Sequence, residues 1–259
     1  MCDYMNDTAI VGLGRFLCTV EPRLRIQEEE TVGICHSVFA RTLPWALGVL
    51  VSVTLMGASA GAQHFQVTIT NLTMAQSFTP IMAASHREGV TLFTLGQPAS
   101  TEIEQMAEAG DLSALETTLK ANPDVLSVVD SGAVLPPGKS VTLTVEAHGR
   151  FNHISVTAML IPTNDGFFAV NGELGPVGPE RTITYFSPAY DAGTEANDEL
   201  CVHIPGPPTV CSGEGFNPSR EGDVNFVHIH PGIHGIGDLS AATYDWRNPV
   251  AKIVISRVP

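Results

Sequence analysis

The feature that most constrains the fold of this chain is the alternation of apolar and polar residues in several short segments. Residues 139–147 read KSVTLTVEA, which places Val141, Leu143 and Val145 on one side of an extended chain. A period of two is typical of a β-strand with one buried and one solvent-facing side. Comparable segments occur at residues 64–73, 91–95, 125–129, 153–161, 181–186, 224–229 and 250–258. The sequence therefore predicts about eight strands.

Turn-forming residues separate these segments, as in PPG at 136–138, NDG at 164–166, NG at 171–172 and GP at 175–176. Strands with such punctuation predict an all-β fold, an antiparallel β-sandwich. One interruption is helical, because Thr101 and Ser113 are each followed three residues later by Glu, which is the capping-box spacing. These two short helices, near residues 100–122, are predicted to form an insertion that covers one end of the sandwich.

An apolar segment near the N-terminus has the pattern of a secretory signal. Residues 43–62 read LPWALGVLVSVTLMGASAGA, preceded by Arg41 and ending in alternating small residues. The apolar run is short for a membrane span, which takes about 20 residues. We expect cleavage after Ala60 or Ala62, so that residues 1–62 are a targeting segment and residues 63–259 form a mature domain without a membrane span.

Residues 1–40 do not resemble the start of a normal signal, since they contain three glutamates in a row and three cysteines. Two interpretations remain. Translation begins near Val32 or Val38, which is the preferred interpretation, or residues 1–40 form a cytoplasmic tail before a membrane anchor. The mature chain is expected to be secreted, periplasmic or attached to the cell surface.

Only two of the five cysteines, Cys201 and Cys211, lie in the predicted mature chain. An even pair in an oxidising compartment predicts one disulfide, with two free thiols as the alternative. Residues 63–259 carry nine basic and 21 acidic side chains, a net charge of −12. Such a charge disfavours binding to nucleic acid or anionic lipid, which requires Lys and Arg to neutralise phosphates.

Two acidic loops are candidate ligands for a cation. Residues 162–166 read PTNDG, and residues 189–199 read AYDAGTEANDE. Calcium takes six to eight oxygen ligands from carboxylates, amides and backbone carbonyls. Asp191 and Glu195 lie four residues apart, and Asp165 completes the charge if both loops meet at one end. The alternative is that these are ordinary turns.

Three histidines, His228, His230 and His234, lie within seven residues. In a strand the first two project to the same face, and the intervening Pro-Gly can turn the chain so that the third returns. Three imidazoles at this spacing suit Zn²⁺ or Cu²⁺, as a binding protein or a metal-dependent hydrolase. The alternative is that these side chains hydrogen-bond the loop backbone. Residues 63–259 contain no G-x-S-x-G or H-E-x-x-H motif, so we expect a non-enzymatic protein.

Three stretches, PTNDGFFAV, PAYDAGTEANDE and the closing NPVAKIVISRV, resemble the spondin domain of secreted matrix proteins such as F-spondin and mindin. The corresponding family stretches are S-P-D-W followed by hydrophobic-V-G-V, then W-D-A-G-T-D, then a basic-hydrophobic strand. The sequence resembles bacterial exported proteins with a spondin domain more closely still, and FQVTITNLT and HREGVTLFTLGQPAS also fit that group. The resemblance covers residues 63–259.

The resemblance implies a C2-like antiparallel β-sandwich with a calcium site at one end. The family's acids fall on Asp165, Asp191 and Glu195. Gly166 replaces an aromatic residue, Tyr190 stands where Trp is usual, and Glu195 replaces Asp. The resemblance further implies a cell-adhesion or recognition module whose partner is a cell-surface or extracellular protein or glycan. A structural envelope protein without a bound ion is the plainer alternative.

Overall fold

The strands form two antiparallel sheets in the part of the chain that the computed structural model describes, residues 63–178, 180–219 and 224–258. The predicted targeting segment, residues 1–62, lies outside the described residues. Eleven strands and three helices occur in the described part. In chain order they are β1 (His64–Asn71), β2 (Ser77–Phe78), β3 (Met82–His86), α1 (Thr101–Ala109), α2 (Ser113–Ala121), β4 (Val125–Asp130), β5 (Ser140–Glu146), β6 (His153–Ile161), β7 (Gly166–Leu174), β8 (Thr182–Ser187), β9 (Ala189–Asp191), β10 (His228–Ile229), α3 (Ala241–Tyr244) and β11 (Ala251–Val258).

One sheet has the order β5-β1-β11-β8, and the other has the order β10-β9-β7-β6-β3-β4, with β2 paired to β6. The prediction of an all-β antiparallel sandwich is confirmed. The strand predicted at residues 224–229 is reduced to the two residues of β10. The strands are more numerous than predicted, in part because β2 and β9 have only two or three residues each. Segments of that length are too short to show an alternating pattern.

The core between the sheets follows from the alternation in the outer strands. Phe65, Val67 and Ile69 of β1 are fully buried, while the intervening residues face solvent. They pack with inward side chains of β11, such as Ile253 and Ile255, and with β6 and β7 of the opposite sheet. The apolar face of each strand is thereby removed from water, which is the main stabilising contribution in a sandwich of this kind.

The helical insertion covers the outer face of the seven-stranded sheet. Ile103 and Met106 of α1 pack against Met82 of β3 and Phe167 of β7 in a second apolar cluster. The prediction that the helices lie over one end of the sandwich is therefore wrong. They cover a face, because β3, β6 and β7 carry apolar residues on both sides and need cover on both.

The caps of these helices differ from the predicted ones. The Ser100 hydroxyl accepts a hydrogen bond from the N–H of Ile103, so that Thr101 is the first helical residue of α1. The N–H of Ser113, the first residue of α2, donates to the Asp111 carboxylate at 2.9 Å.

Residues 91–95, predicted as a strand, form a loop instead. The Leu92 N–H donates to the side-chain oxygen of Asn171 at 2.7 Å, and the Asn171 amide donates to the Phe93 carbonyl at 2.8 Å. The predicted turn at Asn171-Gly172 lies inside β7, where Gly172 has φ +74° and the β6–β7 register shifts. A β-bulge, rather than a chain reversal, uses the conformational freedom of this glycine.

The predicted disulfide is confirmed, because Cys201 and Cys211 are bonded with their Cα atoms 4.8 Å apart. The closed loop follows the acidic segment 189–199 directly. The backbone N–H of Cys201 also donates to the Asp238 carboxylate at 2.9 Å, which connects this loop to the segment after β10.

Candidate functional site

The two acidic loops meet at one end of the sandwich. Asp165 precedes β7, Asp191 ends β9, and these strands pair antiparallel with Gly166 opposite Asp191. The N–H of Ala192 donates to the Asp165 carbonyl at 3.3 Å and extends the ladder by one step. Strand pairing thus brings together acids that are 26 positions apart in the sequence.

Asp165 is completely buried, and its two carboxylate oxygens differ. One oxygen, Oδ2, accepts the backbone N–H groups of Thr194 and Glu195 at 2.9 and 3.1 Å. The other, Oδ1, has no hydrogen-bond partner. Burial, followed by repulsion from Asp191, raises the pKa of Asp165 well above its usual value. A buried carboxylate oxygen with no donor is unusual in a folded protein and requires an explanation.

Asp191 is also completely buried. Its Oδ1 accepts the N–H of Gly193 at 2.8 Å, and its Oδ2 accepts the side-chain amide of Asn197 at 2.6 Å. Gly193 has φ +70°, and a Cβ built there would lie 2.4 Å from the Phe226 carbonyl oxygen. Only glycine allows this close approach, so the residue between the two acids of the loop is determined by the geometry.

Glu195 is buried beside them, and its Oε1 accepts the Asn164 amide at 3.1 Å. The same amide nitrogen donates to the Asp198 carboxylate at 3.1 Å, and the side-chain oxygen of Asn164, Oδ1, accepts the N–H of Glu199 at 3.2 Å. Asn164 therefore connects the two acidic loops. Asn164 directly precedes Asp165. It was not among the predicted ligands, because an Asn in a turn has many ordinary roles.

Glu199, the last residue of the second acidic loop, is a further buried acid that was not among the predicted ligands. Its carboxylate accepts the backbone N–H groups of His234, Gly235 and Ile236 at 2.5 to 2.9 Å. Three backbone donors satisfy this carboxylate, and they fix the loop after β10 against the acidic segment. Glu199 has φ +57°, a conformation that sequence alone does not indicate for Glu.

Glu108 of α1 is a second buried acid near the site that was not predicted. It is 1% exposed, it accepts the N–H of Asn217 at 3.2 Å, and its charge contributes to the raised pKa of Asp165. Helix α1 was identified from sequence, but the surface on which it docks was not. The approach of Glu108 to Asp165 is therefore a tertiary feature.

The three predicted histidine ligands have different surroundings. His228 is partly buried, with Nε2 3.7 Å from Asp191 Oδ1. His230 is buried against Trp246, with ring centroids 4.9 Å apart, while the His234 side chain is exposed. The Glu199 carboxylate holds the backbone of His234, which places this residue by its main chain rather than its imidazole.

The protonation of His230 follows from its hydrogen bonds. Its Nδ1 lies 3.0 Å from the N–H of Gly232 and accepts that bond, so the neutral ring carries its proton on Nε2. Burial lowers the pKa of His230 to about 4, and Nε2 lies 4.0 Å from Asp191 Oδ2. His230 is thus a neutral ring packed beside the acidic loops.

Gly166 departs from the family motif, and its surroundings give the reason. A Cβ at this position would lie 2.8 Å from the Thr163 hydroxyl and 3.0 Å from the Cδ2 of His230. The imidazole occupies space that a side chain at position 166 would need. The absence of a side chain at Gly166 therefore leaves the space in which the buried His230 packs.

Among the residues that the structure describes, no three His, Cys, Asp or Glu side chains form a group arranged to hold a metal ion. That finding concerns only His, Cys, Asp and Glu side chains. Calcium also binds side-chain amide and backbone oxygens, to which the finding does not apply. The candidate ligand atoms of the two acidic loops are oxygens, and one of them, the carboxylate Oδ1 of Asp165, is buried without a hydrogen bond. This donor set fits a hard cation better than Zn²⁺ or Cu²⁺.

A model of the Spondin_N family matches residues 54–197, more than half of the chain. The chain belongs to the Spondin_N family. No curated protein matches the sequence. Spondin N-terminal domains are non-catalytic recognition modules of extracellular proteins. No helix in the described part of the chain is long and apolar enough to cross a membrane.

The Spondin_N match contains all three predicted oxygen ligands, Asp165, Asp191 and Glu195. It ends at Asn197, so that Glu199, the disulfide and the three histidines lie beyond it. In this Spondin_N domain the matched part supplies the acidic loops, and the segment after it supplies the groups that pack around them.

Proposed function

We propose that this Spondin_N domain is an exported, non-enzymatic recognition or adhesion module that binds one calcium ion between its two acidic loops. The observation that carries the proposal is the Asp165 carboxylate. It is fully buried, it lies beside the buried Asp191, and one of its oxygens has no hydrogen bond. A bound cation would supply the charge that such a carboxylate requires.

The residues that would hold the ion are Asp165, Asp191 and Glu195, with amide or backbone oxygens from the same loops. Asn164 connects these loops through its contacts with Glu195 and the segment after it. The ion would neutralise the acids and fix the loops against each other. Glu195 is one methylene longer than the aspartate of the family motif, so its reach sets the geometry of this ligand.

A recognition role is supported by apolar side chains exposed around the acidic loops. Phe226, Ile229 and Ile236 are 39%, 49% and 69% exposed. The Phe226 backbone contacts Gly193, and the Ile236 N–H binds Glu199, so both are anchored to the site. Exposed apolar groups beside a polar centre are typical of partner surfaces. The proposed partner is a cell-surface or extracellular protein or glycan.

Titration calorimetry and thermal unfolding of the purified, chelator-treated protein test the proposal. Calcium is expected to bind one-to-one and to raise the unfolding midpoint, while magnesium has a weak effect. Asp191→Asn should abolish both responses. Glu88→Gln, which removes an exposed negative charge outside the two acidic loops, should retain them.

Two results would refute the calcium assignment. One is a wild-type protein that shows neither heat nor a midpoint shift with calcium. The other is an Asp191→Asn variant with the full calcium response. A midpoint that rises only with zinc or copper, and not in His230→Ala, would transfer the site to the histidines.

Export is tested separately, by intact-mass measurement and N-terminal sequencing of the protein recovered outside the cytoplasm. An N-terminus at Gly61 or Gln63 is expected from cleavage after Ala60 or Ala62. A protein that retains residues 1–60 in the cytoplasmic fraction would contradict export.

A further inference from the structure

Strand β8 lies at the end of the four-stranded sheet and, among the described strands, pairs only with β11. The N–H of Arg257 donates to the carbonyl of Arg181 at 2.9 Å, and these residues are opposite each other when the β8–β11 register is extended. Hydrogen-bonded and non-bonded pairs alternate along an antiparallel ladder. The backbone groups of Thr182, Thr184 and Phe186 therefore point away from β11.

These three residues present an open row of donors and acceptors. All three are exposed, and Phe186 is 58% exposed. Within the described residues, no hydrogen bond to the backbone N–H or carbonyl of Thr182, Thr184 or Phe186 occurs. A strand with groups unpaired at every second residue is a template for another strand.

Features that commonly protect edge strands are absent from β8. Its sequence, TITYFS, contains no charge, proline or glycine. The opposite edge of the same sheet differs, because β5 carries Glu146 and the carbonyl of that residue accepts the Ser85 hydroxyl from the facing sheet. Edge strands are usually blocked by charges, bulges or cover, so β8 is an exception that suggests a partner.

We propose that β8 pairs antiparallel with β8 of a second copy of this chain, about a twofold axis at Thr184. In that register Thr184 lies opposite its own symmetry mate, and Thr182 lies opposite Phe186 of the other copy. All three residues whose backbone groups are open then become hydrogen-bonded pairs. The two four-stranded sheets join into one eight-stranded sheet, with a closed and symmetric interface.

Charge favours a second copy at this edge over contact elsewhere. The predicted mature chain has a net charge of −12, so most surface contacts between copies bring acids together. Strand β8 carries no charge, and the charged residue opposite it in the β11 ladder is the basic Lys252, opposite Phe186. Phe186 would pack over the β-branched Thr182 of the other copy, a favourable cross-strand pair.

Sedimentation equilibrium of the purified protein from about 1 to about 200 μM tests the proposal, since self-association depends on concentration. A monomer–dimer equilibrium is expected. Thr184→Pro removes an N–H that faces away from β11, so it should weaken dimerisation about tenfold or more while the monomer stays folded. Thr184→Lys should act likewise by placing two charges at the axis. Thr184→Val, which keeps the backbone donor and the side-chain shape, should dimerise like the wild type.

Thermal unfolding monitors folding of each variant, and Thr184→Lys keeps the test valid if the proline variant does not fold. The dimer is also expected in the presence of chelator, because β8 is not part of the proposed ion site. A wild-type protein that stays monomeric over the whole range would overturn the proposal. So would a dimer that Thr184→Pro and Thr184→Lys leave unchanged.

Discussion

Asp165 and Asp191 lie side by side because the β7–β9 ladder places Gly166 opposite Asp191, and both carboxylates are completely buried. Asp191 is the charged neighbour that contributes most to raising the pKa of Asp165. Two buried acids that repel each other are costly without a cation, since burial and a nearby like charge both disfavour ionisation. The pair therefore gives the proposed ion site a consequence for stability as well as for binding.

Asp165→Asn removes one of these charges and keeps an oxygen that can accept the N–H groups of Thr194 and Glu195. The metal-free variant is expected to be more stable than the wild type by about 1 kcal/mol, because the repulsion is removed. It should lose any response to calcium. Urea unfolding with chelator and with calcium measures both effects. A metal-free variant less stable than the wild type would contradict the repulsion.

Glu199 should be important for stability, because three backbone N–H groups donate to its buried carboxylate. Glu199→Ala leaves those donors without their acceptor, and each buried unsatisfied group costs about 1–3 kcal/mol. We expect the free energy of unfolding to fall by about 3 kcal/mol in chelator. Glu88→Ala, at an exposed position, serves as the control and should change it by less than about 0.5 kcal/mol.

Gly193 and Gly149 provide a matched comparison of close packing. Both have positive φ, +70° and +58°, but only at Gly193 would a Cβ meet the Phe226 backbone, at 2.4 Å. Gly193→Ala is expected to cost at least about 2 kcal/mol more than Gly149→Ala, because a backbone atom cannot yield as a side chain can. Equal costs in urea unfolding would show that the loop around Gly193 adapts.

The disulfide closes a short loop, with a sequence separation of 10 between Cys201 and Cys211. The entropy of loop closure predicts that the double Cys→Ser variant loses about 3 kcal/mol. Urea unfolding of the oxidised wild type and the variant measures this difference. Wild type treated with a reductant should match the variant, and an oxidised protein of the same stability as the variant would contradict the prediction.

His86 gives the domain a pH dependence that does not involve the acidic loops. The His86 side chain contacts the Arg87 carbonyl and the Ser155 hydroxyl, and burial lowers its pKa. In the unfolded chain the residue takes up a proton near its ordinary pKa of 6.5, while in the folded protein it stays neutral to lower pH. More protons bound in the unfolded state mean that stability decreases as the pH falls below about 6.5.

His86→Gln should therefore make stability less dependent on pH between 6.5 and the lowered folded pKa. His148→Gln, at an exposed position, should leave the wild-type slope in place. Thermal midpoints measured at steps across this range make the comparison. Identical slopes for wild type and His86→Gln would exclude His86 as a source of the dependence.

Sequence patterns predicted the strands in which apolar and polar residues alternate, including β6, which is buried on both faces but carries Ser155 and Thr157 between its apolar residues. In β1 and β5 the apolar and polar residues alternate, because only one side of each strand is covered. Strands β3 and β7 were not predicted, since the helical insertion covers their second face and removes the alternation. A buried strand without alternation cannot be distinguished by periodicity from other apolar segments.

The candidate site likewise has some features that the sequence shows and others that appear only in the tertiary structure. The sequence by itself determined which residues are acidic, that glycine lies between Asp191 and Glu195, and that residues 63–259 contain two cysteines that can pair. Only the tertiary structure decided that Glu108 approaches Asp165 and that Glu199 holds a distant loop by its backbone. Short sequence patterns reflect the secondary structure of the segment in which a residue lies. Long-range strand pairing and packing decide which buried charges become neighbours, and no short-range pattern contains that information.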